Sequence, residues 1–73
     1  MYFVYVIRSV KTGEFYKGQT NNLERRLFEH ESDRWGPFEL IFVQICDSRS
    51  ESVNIERYLK TGQGRKFIEI ICD

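Results

Sequence analysis

The amino-acid sequence predicts an α+β fold in which a three-stranded antiparallel sheet is flanked by helices, in the order β-β-α-β-α with a short C-terminal helix. Two segments rich in β-branched and aromatic residues open the chain, two later segments have apolar residues at helical spacing, and an apolar run separates them. At 73 residues, the chain is expected to form one domain over residues 1–73, near the lower size limit for a fold without disulfides or metals.

The first two strands are predicted to form a hairpin. Residues 2–8 and 14–18 have strand composition, and a Lys-Thr-Gly turn sequence separates them. A four-residue loop, 9–12, would place Tyr5 opposite Tyr16. In that register the two phenols share one face of the sheet.

The segment 21–30 is predicted to be a helix that begins at the N-cap Asn21, with Glu24 completing a capping box. Helical spacing directs positions 23, 26, 27 and 30 toward the sheet. Two leucines occupy this face together with two chargeable groups, Arg26 and His30. Polar groups on a face expected to be buried indicate a possible site rather than only a core.

A third strand is predicted over residues 38–46, because this run is apolar on both alternating faces, as is typical of a central strand. The tail, 64–71, has apolar residues at helical spacing and is predicted to be a short packing helix. A strand is the alternative for this tail.

A second helix is predicted to begin at Ser48, where Glu51 provides another capping-box pattern, and to end at Gly62. Its buried face falls at positions 52, 55, 56 and 59. Glu56 therefore places a carboxylate on a face that is otherwise suited to the core.

The composition limits the classes of function. Eleven Lys and Arg residues balance eleven Asp and Glu residues, whereas nucleic-acid-binding proteins usually carry a basic surplus. A local basic patch can still operate within a neutral total. Cys46 and Cys72 have no metal-ligand spacing and are expected to be free thiols, and the apolar N-terminal run is too short for a signal peptide or a membrane span. A cytoplasmic protein without membrane association is expected.

Five residues are the candidates for chemistry: Tyr5, Tyr16, Arg26, His30 and Glu56. Each falls on a face predicted to point inward or along the sheet, and burying an unpaired charge is costly. A cleft would explain this placement if Glu56 held a divalent cation, Arg26 contacted a phosphate, and a Tyr or His handled a proton.

The same positions carry a resemblance to a known family. Residues 4–6 (Val-Tyr-Val) and 16–18 (Tyr-Lys-Gly) resemble the two elements that name the GIY-YIG nucleases, with ten residues between the tyrosines. Residues 19–30, with Gly18 directly before them, resemble the family stretch G-x-T-x-x-L-x-x-R-L-x-x-H, and the similarity continues at 37–40 and 55–62. The chain is thus similar to small stand-alone GIY-YIG endonuclease domains along nearly its whole length.

The resemblance implies a metal-dependent DNA endonuclease, with a role in DNA repair or processing. Tyr5 would position or deprotonate the attacking water, with Tyr16 beside it, and Arg26 would stabilise charge on the scissile phosphate. His30 would transfer a proton or contact the phosphate. Glu56 would be the carboxylate ligand of one Mg²⁺ or Mn²⁺ ion. Candidates for contact with the DNA backbone are Lys17, Arg25, Arg34, Lys60, Arg65 and Lys66.

Each of these residues also has a purely structural interpretation. Arg26 could form an ion pair with Glu56, His30 could be a partner of the helix dipole, and the basic residues could form a solvated helix end. Trp35 could fill the core or stack on a base. The segment 31–36 is short where small relatives have a longer basic loop.

Two other functions follow from these interpretations. The first is a degenerate GIY-YIG domain that binds nucleic acid or a protein partner without cutting, and a recruiting protein partner is also compatible with an active enzyme. The second is a sheet surface that stacks single-stranded RNA through its aromatic side chains, namely Phe3, Tyr5, Phe15 and Tyr16.

Overall fold

The computed structural model describes residues 1–33 and 35–72. In chain order they form β1 (Tyr2–Ser9), β2 (Phe15–Thr20), α1 (Leu23–Glu31), β3 (Phe38–Cys46), α2 (Arg49–Leu59) and α3 (Gly62–Cys72). The strands form one antiparallel sheet. The predicted α+β class and the predicted order of elements are confirmed.

The strand order is β2-β1-β3, so β1 is the central strand and the predicted central position of β3 is wrong. Both faces of β1 are covered, because its four residues from Val4 to Ile7 are completely buried. Three apolar side chains of β3 are exposed instead, namely Leu40, Val43 and Ile45. An apolar run shows that a strand can be buried on both faces. It does not show whether the strand has a neighbouring strand on each side or lies at the edge of the sheet.

The hairpin register differs from the predicted one by two residues. Tyr5 lies opposite Gly18, and Tyr16 lies opposite Ile7, so the predicted Tyr5–Tyr16 pair is wrong. Strand β1 continues to Ser9, whose backbone N–H donates to the carbonyl of Glu14 at 2.9 Å, so the turn lies one residue further along the chain than the predicted loop 9–12. The shift is an even number of residues, so both phenols remain on one face, with ring centroids 6.1 Å apart.

Side chains alternate between two faces of the sheet. On the face that we call the core face, Val4 and Val6 pack under α2 and α3 in a cluster completed by Cys46, Leu59 and Ile68. On the opposite face, which we call the site face, the Tyr5 side chain lies under α1. Alternation along β1 thus separates the hydrophobic core from the polar candidates.

Helix α1 begins one residue later than predicted. Asn22, not Asn21, is the N-cap, and its side-chain oxygen accepts a hydrogen bond from the backbone N–H of Arg25 at 3.1 Å. The Thr20 hydroxyl accepts from the N–H of Asn22 at 3.1 Å, so the turn occupies one more residue before the helix starts. The predicted inward face is confirmed, with His30 buried and the other three positions half-buried: Leu23, Arg26 and Leu27.

The two C-terminal helices meet at a close contact. Ser48 caps α2 as predicted, accepting from the N–H of Glu51 at 3.1 Å. The helix ends at Leu59 instead of Gly62, which is the first residue of α3. Gly64 then packs so closely on the backbone of α2 that no Cβ would fit. The helical prediction for the tail is confirmed, and within residues 1–33 and 35–72 no helix has the length and apolarity to cross a membrane.

Candidate active site

Helix α1 places His30 directly over the central strand. The Tyr5 hydroxyl lies 2.8 Å from Nε2 of His30, across 25 positions of sequence. Tyr5 is 0% exposed and His30 is 2% exposed, so this hydrogen bond is shielded from water. Polar groups this deeply buried require hydrogen-bond partners, and each provides one for the other.

Tyr16 extends the pair toward the edge of the sheet, because it lies on strand β2. Its ring centroid is 4.6 Å from that of His30 and 5.3 Å from that of Trp35. The ring is half-buried, whereas Tyr5 is enclosed. Tyr16 is therefore the more accessible of the two phenols.

Gly18 is required by the close approach of the two phenols. A Cβ at this position would lie 2.8 Å from the Tyr5 hydroxyl oxygen and 2.9 Å from Cε1 of Tyr16. Both distances are shorter than van der Waals contact, so any side chain at position 18 would displace the phenols. Glycine is needed here for space and not for an unusual backbone angle.

Arg26 joins the cluster from α1, one turn before His30. Its guanidinium donates to the Tyr16 hydroxyl at 3.4 Å and to Oε1 of Glu29 at 2.9 Å. The ion-pair partner of Arg26 is thus on its own helix and is not Glu56. The side chain is 37% exposed, so the positive charge can be reached from solvent.

The environment sets the protonation of the buried pair. Burial, followed by the neighbouring Tyr16, raises the pKa of Tyr5 to about 12, and the positive charge of Arg26 partly opposes this shift. Burial lowers the pKa of His30, as does Arg26, while Asp33 acts in the opposite direction. At neutral pH the phenol is therefore protonated and the imidazole is neutral, so Tyr5 donates and Nε2 of His30 accepts.

Asp33 and Trp35, which follow the end of α1, border the cluster around His30 and Tyr16. Asp33 Oδ2 lies 3.5 Å from Nδ1 of His30, and Asp33 Oδ1 accepts from the backbone N–H of Trp35 at 2.8 Å. The Trp35 ring packs against Tyr16. Sequence reasoning did not single out Asp33, although its position three residues after His30 is a spacing that brings side chains together.

Glu56 lies on α2, the helix that packs on the core face of the sheet, whereas Arg26 and His30 lie on α1 over the site face. Its carboxylate forms an ion pair with Lys60 at 3.0 Å and is 21% exposed. Helix α2 contacts strand β2, since the Ser52 hydroxyl donates to the Gln19 side chain at 3.4 Å. Glu56 is one turn further along this helix. The structure thus brings Tyr5, Tyr16, Arg26 and His30 together and places Glu56 on another element.

Glu56 fits a divalent cation only as a single carboxylate ligand. Among residues 1–33 and 35–72, no group of three or more His, Cys, Asp or Glu side chains could hold a metal ion. Mg²⁺ retains several waters and commonly takes one or two carboxylates together with substrate phosphates, so a lone, partly exposed carboxylate is chemically suitable. The exposed Lys60 ammonium would have to move away from it.

Three of the predicted DNA contacts lie close together. The pKa of Lys17 is lowered by burial and then by the positive charges of Arg65 and Lys60, which shows that β2 and the α2–α3 junction place these cations near one another. Arg25 is exposed and pairs with Glu29 at 4.0 Å. Lys66 is exposed, and Arg34 lies outside the described residues.

The predicted stacking surface for single-stranded RNA is wrong. Tyr5 is completely buried under α1, and Phe15 packs against the core cluster on the other face of the sheet. The four aromatic side chains therefore do not form a common exposed surface.

Comparison with known sequences identifies the class of domain to which this fold and polar cluster belong. A sequence model described as the GIY-YIG catalytic domain matches residues 1–67. The chain is 35% identical over 66 residues to the UPF0213 protein OB0043 of Oceanobacillus iheyensis, covering 81% of this chain and 76% of that protein. It is 23% identical over 79 residues to the UPF0213 protein SSP2268 of Staphylococcus saprophyticus, covering 99% and 95%.

The fold has also been observed in a solved structure. The solution NMR structure of the UPF0213 protein BH0048 from Bacillus halodurans superimposes with a TM-score of 0.63, at 23% identity, covering 97% of this chain and 85% of that one. The chain belongs to the GIY-YIG family of nuclease domains and is similar, within it, to the small proteins named UPF0213.

Proposed function

We propose that this protein is a metal-dependent endonuclease that hydrolyses DNA phosphodiester bonds, with a role in DNA repair or processing. Membership of the GIY-YIG family supports a nuclease. The observation that carries the proposal is the shielded hydrogen bond from Tyr5 to His30 beside the charged Arg26. Such a cluster offers a proton acceptor and a fixed positive charge in one place.

The difference in exposure between the two phenols supports a particular proton pathway. Tyr16 is the accessible phenol and orients the attacking water, while the enclosed pair of Tyr5 and His30 lies behind it. A proton leaves the water for Tyr16, Tyr16 passes its own to Tyr5, and Tyr5 passes its own to Nε2 of His30. Each phenol ends as it began, His30 becomes imidazolium, and the resulting hydroxide attacks phosphorus as the bond to the leaving oxygen breaks. The leaving oxygen departs with the electron pair of that bond and takes a proton from solvent water.

Arg26 stabilises charge on the scissile phosphate. Hydrogen bonds with Glu29 and Tyr16 raise its pKa above the already high ordinary value, so it stays charged at any working pH. A guanidinium presents several N–H donors in one plane, which suits phosphate oxygens. Because the side chain is partly exposed, a phosphate can approach it from solvent.

Glu56 would hold the divalent cation, either Mg²⁺ or Mn²⁺. When bound, such an ion supplies Lewis-acid polarisation of the phosphate and of the leaving oxygen. The neighbouring cations Lys17, Lys60 and Arg65 would neutralise phosphates away from the bond that is cut. The small domain offers little surface for reading sequence, so selectivity is expected to come from DNA structure or a recruiting partner.

A nicking assay tests the proposal. Supercoiled plasmid incubated with the protein and Mg²⁺ or Mn²⁺ should be converted to the relaxed form, and Arg26→Ala and Glu56→Gln should each abolish the conversion. Glu69→Gln changes an exposed carboxylate on α3 and serves as the matched control, with wild-type activity expected. Nicking that persists in both Arg26→Ala and Glu56→Gln would reject this mechanism.

A second function, a domain that binds nucleic acid or protein without cutting, is favoured by two observations. The net charge is zero, and the Glu56 carboxylate is occupied by Lys60. Calorimetric titration with Mn²⁺, with and without DNA, separates the two functions. Absence of Mn²⁺ binding under both conditions would favour the binding module over the enzyme.

A further inference from the structure

Among the described residues, one nitrogen of the His30 imidazole has a hydrogen-bond partner and the other does not. Nε2 faces the Tyr5 hydroxyl at 2.8 Å. Nδ1 is buried, and no residue in the described part of the chain forms a hydrogen bond of ordinary length with it. The Asp33 carboxylate lies 3.5 Å from it.

The pairing at Nε2 fixes which nitrogen carries the proton. A neutral imidazole holds one proton, and Tyr5, which stays protonated at neutral pH, donates to Nε2. The proton of His30 must then be on Nδ1, where it points toward Asp33. A buried N–H without an acceptor would be costly, so the carboxylate is needed where it lies.

We propose that Asp33 is a positioning residue whose carboxylate holds the proton of His30 on Nδ1, so that the lone pair of Nε2 faces the Tyr5 hydroxyl. A base that is oriented by a third group is the logic of the Ser-His-Asp arrangement, here with a phenol in place of the serine hydroxyl. A catalytic effect of Asp33 rests on the proposed nuclease function, whereas its effect on the tautomer of His30 does not.

The other groups around His30 do not replace Asp33 in this role. Arg26 and Glu29 come from the same helix, and Glu29 is engaged by the Arg26 guanidinium at 2.9 Å. Tyr5 and Tyr16 face the ring from the sheet, one at Nε2 and the other by an edge-on ring contact. Asp33 is the acidic residue whose carboxylate faces Nδ1, with Oδ2 3.5 Å away.

The backbone fixes the orientation of the Asp33 carboxylate. Oδ1 accepts the Trp35 N–H at 2.8 Å, which leaves Oδ2 to face Nδ1 of His30. In Asp33→Asn the single amide oxygen would be retained by that N–H, and the NH₂ group would face His30. A donor at this place disfavours a proton on Nδ1, so the substitution should move the proton to Nε2.

The tautomer can be measured without ambiguity, because His30 is the single histidine of the chain. Long-range ¹H–¹⁵N correlation spectra of labelled protein at pH 7.5 should show wild-type His30 protonated at Nδ1. Asp33→Asn should shift the population to the form protonated at Nε2, and Asp33→Glu should restore the Nδ1 form. Asp47→Asn, an exposed site remote in sequence, should leave the spectrum of the ring unchanged.

The outcomes distinguish this inference from the proposed function. A wild-type ring protonated at Nε2, or an Asp33→Asn ring that keeps its proton on Nδ1 in a protein with otherwise native spectra, would overturn the role of Asp33. In the nicking assay we expect Asp33→Asn to reduce the rate about tenfold or more, with Asp33→Glu recovering much of it. Plasmid left intact by the wild type, together with the expected tautomers, would reject the nuclease and leave the positioning role supported.

Discussion

The hydroxyl of Tyr5 and Nε2 of His30 are 2.8 Å apart, and both residues are buried. Each group depends on the other, because neither has access to water that could replace the hydrogen bond. The pair joins the central strand to the end of α1, so it contributes to packing as well as to the proposed chemistry.

Tyr5→Phe removes the donor from this bond and leaves Nε2 of His30 unsatisfied. We expect a loss of about 1–2 kcal/mol in the free energy of unfolding, measured by urea denaturation, and loss of plasmid nicking. Tyr58→Phe removes a hydroxyl from an exposed position on α2 and is the control, with no change expected in either measurement. Undiminished nicking by Tyr5→Phe would exclude Tyr5 from the proton pathway.

Gly18→Ala should force the two phenols apart, since the new methyl group would overlap the Tyr5 hydroxyl and the Tyr16 ring. Overpacking of this kind costs about 1–3 kcal/mol of stability, and the shifted hydroxyls should reduce nicking. Gly62→Ala is the matched control, because a Cβ there meets nothing within 4 Å. That variant should be within about 1 kcal/mol of the wild type or more stable, since alanine favours helix. Equal stability of both variants would contradict the close packing at Gly18.

The stability of the protein should fall as the pH is lowered through the titration of His30. Its pKa is lower in the folded protein than in the unfolded chain, so the unfolded chain binds more protons between the two values. The contribution of the neutral imidazole is complete above the unfolded pKa, about 6.5, and is lost below it. Urea denaturation between pH 7.5 and 5.5 should show this decrease, at most about 1.4 kcal/mol per pH unit for one proton.

A His30→Gln variant is the control for that measurement. It has no titrating group at position 30, so its free energy of unfolding should change less over the same range. A wild-type protein that is equally stable at both pH values would show that the imidazole is not held neutral by burial.

Arg26→Lys keeps the positive charge but loses the planar set of donors that contacts both Tyr16 and Glu29. We expect nicking to fall roughly 100-fold, as for removal of one donor that stabilises transition-state charge, with little change in stability. Arg25→Lys, on the exposed face of the same helix, should retain activity. Equal rates for the two variants would show that charge alone suffices at position 26.

Local geometry explains which parts of the site could be predicted from sequence. Arg26 and His30 were identified because helical spacing alone determines that they share a face. The common face of Tyr5 and Tyr16 was also predictable, because strand alternation survives a shift of two residues. The register itself was not, since it depends on where along the chain the turn lies.

Features that depend on the path of the chain in space were missed. Strand β3 lies at the edge because, among the described strands, it pairs with β1 alone, and strand pairing cannot be deduced from the local sequence pattern. Helical spacing directs Glu56 inward but does not contain which face of the sheet α2 covers, namely the core face. Asp33 follows the last turn of α1, where the irregular backbone determines that it faces His30.

Along β1, Val4 and Val6 belong to the hydrophobic core, and Tyr5, between them, belongs to the site. A slip of this strand by one residue would bring the phenol into the core and a valine under His30. The slipped register would therefore be destabilised on both faces of the sheet. Core and site therefore enforce a single alignment of the central strand. Mutations that loosen the core on one face are expected to disturb the phenol on the other, and activity can serve as a sensitive reporter of strand alignment.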